Sequence, residues 1–248
     1  KNILKKEMLF IGGIAFLFCL DLVPITRRYF SHENFVSKNK YETKFAASPA
    51  SAEILKIENK GRGYYRVLDL TTSTFNDAKP SYHHNQIGGY DPTKLQRYQD
   101  LIDYNIQGEI EKVINELQTG STLQRINEVF DNLDVLNMLN TKYVIYNPDG
   151  MPLINNSAFG SAWFVNEIIT VANPDEETAE LNNYDLGTTA IVDNKFSQIT
   201  SKINISDDSS ATIVQNSYAP NHLVYSSKSN SNQVAVFSEI YYDKGWNA

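Results

Sequence analysis

The sequence predicts an α+β fold: a mixed α/β domain, followed by a partial antiparallel β-sandwich and preceded by the end of a transmembrane helix. Three observations predict it. An apolar run opens the chain, helical periodicity alternates with short strands through its middle, and short β-runs separated by Asp/Ser/Asn turns fill it from Lys202 onward. The corresponding boundaries are 1–28 for the helix end, 29–200 for the mixed domain and 201–248 for a truncated sandwich.

The apolar run is "KNILKKEMLFIGGIAFLFCLDLVPITRRYF". No polar side chain interrupts it from Met8 to Leu20, and after Asp21 it continues apolar to Ile25. A membrane-crossing helix needs about 20 mostly apolar residues, and an aspartate near its end costs less than one at the centre. A signal peptide would need a small-residue cleavage site, which does not follow the run. A buried core helix is the competing reading. The continuous apolar circumference leaves no polar face for a surface helix, which favours the end of a spanning helix that contacts the lipid bilayer. Lys1, Lys5 and Lys6 favour a cytoplasmic start and an external exit, against which Arg27 and Arg28 count. Pro24, Arg27 and Arg28 are expected to end it. The first residue is Lys1 and the last stretch is "KGWNA", so both ends are expected to be cut from a longer polypeptide.

The rest is taken in order. Ser51–Lys60 is expected as a short helix behind a serine cap, and "GRG" as a breaker. "YYRVLDL" (64–70) alternates as a strand. "TKLQRYQDLIDYNIQ" (93–107) puts Leu95, Tyr98, Leu101, Ile102 and Ile106 on one helical face. "GEIEKVINELQTG" continues helical, with Gly108 and Gly120 as punctuation. A third helix spans 121–141, with Leu123, Ile126, Phe130, Leu133 and Leu136 inside. "KYVIYN" (142–147), "AWFVNEIITV" (162–171) and "TTAIVD" are expected strands. "NPDEETAELNNYD" has an Asn173 cap, Pro174 in its first turn and acids behind it.

Composition sets limits on function. Hydrophobic residues make up 42% of the 248, enough for a core, and the net charge is −7. No basic stripe appears, so nucleic acid is not an expected partner. The single cysteine, Cys19, rules out a disulfide framework or a cysteine-based zinc site. Fifteen tyrosines suit strands, and equally wet interfaces and sugar rings.

Five segments in this order carry a resemblance: "DLVPITRRYF…NFV", "YRVLDLTTSTFNDAKPSYHHNQIGGYDPTKLQRYQDLID", "VLNMLNTKYVI", "NSAFGSAWFV" and "FSEIYYDKGWNA". Together they resemble the C-terminal part of the YfhO-like bacterial membrane proteins in their Bacteroidetes form, from about residue 20 to the end. That family is similar to GT-C glycosyltransferases, multi-span enzymes that take sugars from polyprenyl-phosphate donors. The resemblance implies a large extracytoplasmic region on a bacterial cytoplasmic membrane, supporting acceptor binding or assembly with a glycan or lipid-linked sugar as partner. The acid expected to do GT-C chemistry lies in an early external loop that has no counterpart here, so no catalytic residue is carried over and no cofactor is implied. The chain departs from the family at His83–His84, where relatives have one histidine, and at Asp91, where relatives often have His. The family's strand run also usually continues past "GW".

The richest polar stretch is "NDAKPSYHHNQIGGYDPTKLQRY" (76–98). His83 and His84 point to opposite faces of an extended segment, so they are not an expected metal pair even with Asp69, Asp77 or Asp91 nearby. No nucleophile motif accompanies them, and "IGGYDP" lacks the spacing and lysine of a phosphate loop. Two readings stand: a rigid loop held by Pro80, Gly88, Gly89 and Pro92, or a recognition loop. In the second, Tyr82, His84, Tyr90, Asp91, Arg97 and Tyr98 contact a sugar or pyrophosphate. Trp163 and Trp246 are expected as core or strand-edge aromatics, and Glu239 as an outward-facing strand acid, with contact to a sugar hydroxyl the competing reading. The rivals to the glycosyltransferase reading are a non-catalytic carbohydrate-binding or surface-interaction module and a secreted metal-dependent hydrolase.

Overall fold

The computed structural model of the chain describes residues 2–59 and 65–247, so the expected "GRG" breaker lies outside the described residues. Contacts divide the chain once, into compact units Lys1–Ala46 and Ala47–Ala248, where the sequence places boundaries after 28 and 200.

The first unit is dominated by helix α1, Asn2–Tyr29, whose 28 residues span about 42 Å at 1.5 Å each. Within Lys5–Asn34 an 18-residue window has a mean hydropathy of 2.3, long and apolar enough to cross a membrane, and none of that window is buried. Pro24 does not end the helix as expected: it sits inside it, and the helix runs on to Tyr29. The ring removes one backbone bond but its φ is already helical, and apolar helices carry internal prolines more often than soluble ones. A short helix α2, Lys38–Thr43, follows, with the Ser37 side chain accepting from the Lys40 N–H.

The second unit is built on a three-stranded sheet. Strand β1 (Arg66–Asp69) runs parallel to β2 (Thr141–Ile145), and β3 (Leu153–Ile154) pairs antiparallel with β2. Helix α3, Pro49–Ile57, precedes β1. It begins two residues earlier than expected, with Ser48 as its cap and Pro49 in its first turn. β1 and β2 present side chains to two layers. Val67, Tyr143 and Ile145 pack with Ala50 and Ile54 of α3, while Leu68 and Val144 join the larger core on the other face.

That larger core is made by the crossover between β1 and β2. A continuous helix occupies Gln96 to Gln118: α4 (Gln96–Leu101), one π turn (Ile102–Ile106) and α5 (Gln107–Gln118). Gly108 does not punctuate it, because the buried residues Ile106 and Ile110 flank it and hold the helix through a position that costs about 1 kcal/mol relative to alanine. The π turn buries Asn105, whose amide donates to the Thr178 carbonyl at 3.2 Å.

The expected single helix 121–141 is two, α6 (Leu123–Phe130) and α7 (Asp134–Met138), broken at Leu133 with φ −109° and ψ 68°. Side chains from elsewhere satisfy the freed backbone. Asn137 donates to the Phe130 carbonyl at 2.8 Å, and Glu109 of α5 accepts from the N–H groups of Val135 and Leu136 at 2.9 and 2.8 Å. Leu123, expected inside, is 69% exposed.

The expected strand 162–171 also divides. β4 (Ala162–Val165) and β5 (Glu167–Val171) join different sheets. β5 pairs in parallel with β6 (Thr189–Asp193) across helix α8 (Pro174–Glu180), which Asn173 caps as the sequence indicates. After the short helix α9 (Ser197–Thr200), β7 (Thr212–Ala219) and β8 (His222–Lys228) form a hairpin, and β9 (Val234–Phe237) returns to pair antiparallel with β4. The α+β class therefore holds with small sheets. A sandwich is not formed among the described residues, because β9 is paired with a mid-chain strand and the hairpin forms its own two-stranded sheet.

Glu109 gives this core a pH dependence. It is 3% exposed, and burial pushes its carboxyl up to about 7, against the pull of the two N–H donors. The folded chain thus holds this proton more tightly than the unfolded chain does. The group's stability contribution is complete below the unfolded value of 4.5 and is lost as pH rises through about 7. Denaturant unfolding of the full chain in detergent at about pH 5 and about pH 8 should show wild type losing roughly 3 kcal/mol more than Glu109→Gln across that interval. Equal losses would show that Glu109 does not titrate there.

Candidate functional site

The loop residues Asn85, Gln86 and Ile87 lie along the free edge of β1. The Val67 N–H donates to the Asn85 carbonyl at 2.9 Å and the Ile87 N–H donates to the Val67 carbonyl at 3.1 Å. This pairing turns part of the 76–98 stretch into an extra sheet edge, with Gln86 opposite Val67. A cleft of about 340 Å³ opens beside it. Its walls come from Tyr65 and Arg66 at the start of β1, from Ser81, His84, Asn85, Gln86 and Gly88 of the loop, from Asn140 and Ser161, from Tyr218 of β7, and from Ser238 and Glu239 just beyond β9.

Arg66 organises this cleft. Its Nη1 donates to the carbonyls of Leu139 at 2.8 Å and Ser238 at 2.5 Å, and its Nη2 faces the Glu239 carboxylate at 3.5 Å. The two side chains are 16% and 23% exposed, so the pair is largely desolvated. Burial raises the Glu239 carboxyl above its ordinary value and Arg66 opposes the rise. Glu239 is therefore not the outward-facing strand acid that its sequence position suggests: past the end of β9 it turns inward to the guanidinium. Gln86 contributes a side-chain Nε2 that is shielded from solvent and has no hydrogen-bond partner.

Beneath the cleft lies a second polar chain. His84 Nε2 and Ser51 Oγ are 2.7 Å apart, and the Tyr65 hydroxyl is 3.5 Å from His84 Nδ1. Tyr65 packs edge-on to Tyr143, whose hydroxyl donates to Glu58 at 2.6 Å, where Lys142 also donates at 2.7 Å. Burial works to raise the Glu58 carboxyl, but these two donors win and hold it below its usual value. The Ser51–His84 contact has the spacing of a nucleophile and its base, but a tyrosine stands where an orienting carboxylate would be needed. Both residues are buried. Among the described residues no three His, Cys, Asp or Glu side chains are placed to hold a metal ion.

The residues singled out from the sequence are dispersed. His84 alone lines the cleft. Tyr98 is partly buried and its hydroxyl donates to the Ile87 carbonyl at 2.6 Å; burial pushes its phenol up to about 12. Tyr82 and Tyr90 are 51% and 63% exposed. Asp91 is exposed and folds onto its own chain, accepting from the Thr93 N–H and hydroxyl, both at 2.8 Å; these bonds hold its carboxyl low. That turn also delays the start of the following helix from Thr93 to Gln96. Arg97 is exposed and its guanidinium lies 5.7 Å from the centre of the Tyr241 ring. No hydrogen bond or ion pair among the described residues joins Tyr90, Asp91 and Arg97 to one another. Trp163 donates to the Leu186 carbonyl at 3.0 Å and packs on Phe159, in keeping with a partly buried strand aromatic.

Arg66, Gln86 and Tyr218 escape sequence reasoning, and Glu239 enters it only as a strand acid or a sugar-hydroxyl contact, without its partner. Arg66 and Glu239 are 173 positions apart, and only the β4–β9 pairing brings them together. The one local hint is a charged side chain at the start of a strand otherwise buried on both faces.

No protein-family model, no curated protein and no solved structure matches this chain. What the fold defines is an α+β unit with a polar cleft beside its central sheet. In sequence, that unit is joined to an apolar helix long enough to cross a membrane.

The geometry of the loop yields a stability prediction. A Cβ on Gly88 would stand 1.8 Å from the Thr74 carbonyl oxygen, a backbone atom that also receives the Gly89 N–H at 2.7 Å. Gly88→Ala should therefore destabilise the chain by roughly 1–3 kcal/mol, read as a lowered denaturation midpoint. Gly108→Ala, with nothing near its added Cβ, should leave the midpoint unchanged or raise it.

Proposed function

We propose that this chain is the extracytoplasmic C-terminal region of a multi-span bacterial membrane protein of the YfhO-like type. Such a parent is related to GT-C glycosyltransferases that use polyprenyl-phosphate-linked sugars. In this reading α1 is the end of a spanning helix, and the unit Ala47–Ala248 faces the periplasm. It supports acceptor binding or assembly while the chemistry lies elsewhere in the parent. Tyr82, Tyr90, Asp91 and Arg97 are the exposed side chains through which segment 76–98 contacts a sugar or pyrophosphate, and His84 and Tyr98 brace that segment from within. One observation carries the reading: an apolar helix with no buried residue in its membrane-length window precedes a polar α+β unit in the chain. Exposing that much apolar surface to water is unfavourable, and a bilayer removes it.

The alternative is a carbohydrate-binding or surface-interaction module with no glycosyl transfer in the parent. The cleft favours it, since it is polar and carries no assembled nucleophile, base and acid.

The experiment is membrane partition. Expressed in a bacterial host, the full chain should stay with membranes through alkaline carbonate washing, with residues beyond Ala47 open to protease from the periplasmic side. The double change Phe16→Arg and Leu17→Arg, near the middle of α1, adds roughly 5–7 kcal/mol of insertion cost and should shift the chain to the soluble or aggregated fraction. Release of the wild-type chain by carbonate would sink the membrane reading. To separate the two parent activities, the parent in proteoliposomes should transfer sugar from a polyprenyl-phosphate donor; failure to do so leaves the binding-module reading.

A further inference from the structure

We propose that the cleft between the start of β1 and the end of β9 is a binding site for a neutral saccharide unit. Glu239 and Arg66 are its anchor, and Gln86 and Tyr218 complete its walls. The inference rests on the saccharide-contacting role proposed above and gives it a place distinct from the exposed side chains of segment 76–98.

The size fits a small ligand. About 340 Å³ lies near the lower end of the roughly 300–1,000 Å³ that small-molecule sites occupy, room for one or two sugar rings. The walls suit hydroxyl groups. A sugar hydroxyl both donates and accepts, and the cleft offers both roles: carboxylate oxygens of Glu239, the guanidinium edge of Arg66, the amides of Asn85 and Gln86, and the hydroxyls of Ser81 and Ser161. The Arg66–Glu239 contact is long, at 3.5 Å, so a hydroxyl can bridge it by accepting from one partner and donating to the other. Gln86 Nε2 has no partner, and turning its amide toward the cleft gives it a ligand oxygen as acceptor. Tyr218 adds an aromatic face, just after the β-bulge between Gln215 and Ser217.

The same features argue against a charged ligand. Arg66 Nη1 is committed to two backbone carbonyls, its Nη2 faces a carboxylate, and among the described residues no lysine lines the cleft. A phosphate would meet the Glu239 charge, and Arg66 is already engaged with that carboxylate and two carbonyls. A lipid chain would find too little apolar surface.

The test is ligand-observed saturation-transfer NMR on the full chain in a detergent without a sugar headgroup. The neutral probes are methyl glucoside, methyl galactoside, methyl mannoside and N-acetylglucosamine; the charged probe is glucose 1-phosphate. At least one neutral probe should show transfer. Glu239→Gln should weaken it tenfold or more, and Ser81→Trp, which places an indole over the cleft from an exposed turn, should abolish it. Tyr104→Ala, at an exposed position outside the cleft, should leave it unchanged. If Glu239→Gln lowers the melting temperature, Ser81→Trp alone decides. No transfer from any neutral probe, transfer undiminished by Ser81→Trp, or tighter binding of glucose 1-phosphate at this cleft would overturn the proposal. Membrane insertion without sugar binding removes the cleft site alone; sugar binding by a chain that carbonate releases removes the membrane reading alone.

Discussion

The second unit depends on the parallel pairing of β1 with β2. Two parallel strands cannot be joined by a tight turn and need a long crossover. Here seventy-odd residues separate them, and the helices α4 to α7 fill that interval. The pairing is buried on both faces: Val67 and Leu68 are fully buried although they point to opposite layers. Burial of each such side chain contributes roughly 1.5–3 kcal/mol. Neither layer can be lost without exposing the strand's other half to water.

Everything polar at the site follows from how that pair ends. At its free edge β1 has unpaired backbone groups, and segment 85–87 supplies partners for Val67. At its start, Leu139 just past α7 brings a carbonyl that the Arg66 side chain satisfies. The β4–β9 pairing then delivers the Ser238 carbonyl and the Glu239 carboxylate to the same guanidinium. A charge in so closed a place costs several kcal/mol unless it is paired and hydrogen-bonded. Arg66 meets that condition with two carbonyls and one carboxylate, drawn from two distant stretches of chain. The cleft is the space these stretches leave between them.

The sequence made legible whatever is decided within a few residues. α1 follows from its uninterrupted apolar run, α8 from Asn173 and Pro174, and β1 and β2 from short alternating runs. What it hid is decided at a distance. The break between α6 and α7 needs Glu109 and Asn137 to take the freed backbone groups, and neither lies at the break itself. The division of 162–171 at Asn166 is set by two different partner strands, β9 and β6, and no residue in the run reports that. The site divides in the same way. His84 was visible as part of a polar cluster, but it works as a buried brace against Ser51. Glu239 was visible only as one acid in a strand-like run, and its significance comes from a partner 173 residues away.

Segment 76–98 shows why local polarity misleads about role. Its pairing with β1 fixes it as an edge, and an edge has an inner and an outer side. His84 and Ile87 are buried, and the Tyr98 hydroxyl clamps the Ile87 carbonyl. Gly88 permits the close approach to Thr74 that no larger residue allows. These residues hold the cleft wall in place. Tyr82, Tyr90, Asp91 and Arg97 remain outside, where Asp91 is engaged with its own turn and Arg97 with an aromatic ring. One stretch thus serves two surfaces, and a substitution's effect depends on which it faces: an inner change alters the cleft through the sheet edge, and an outer change leaves the cleft intact.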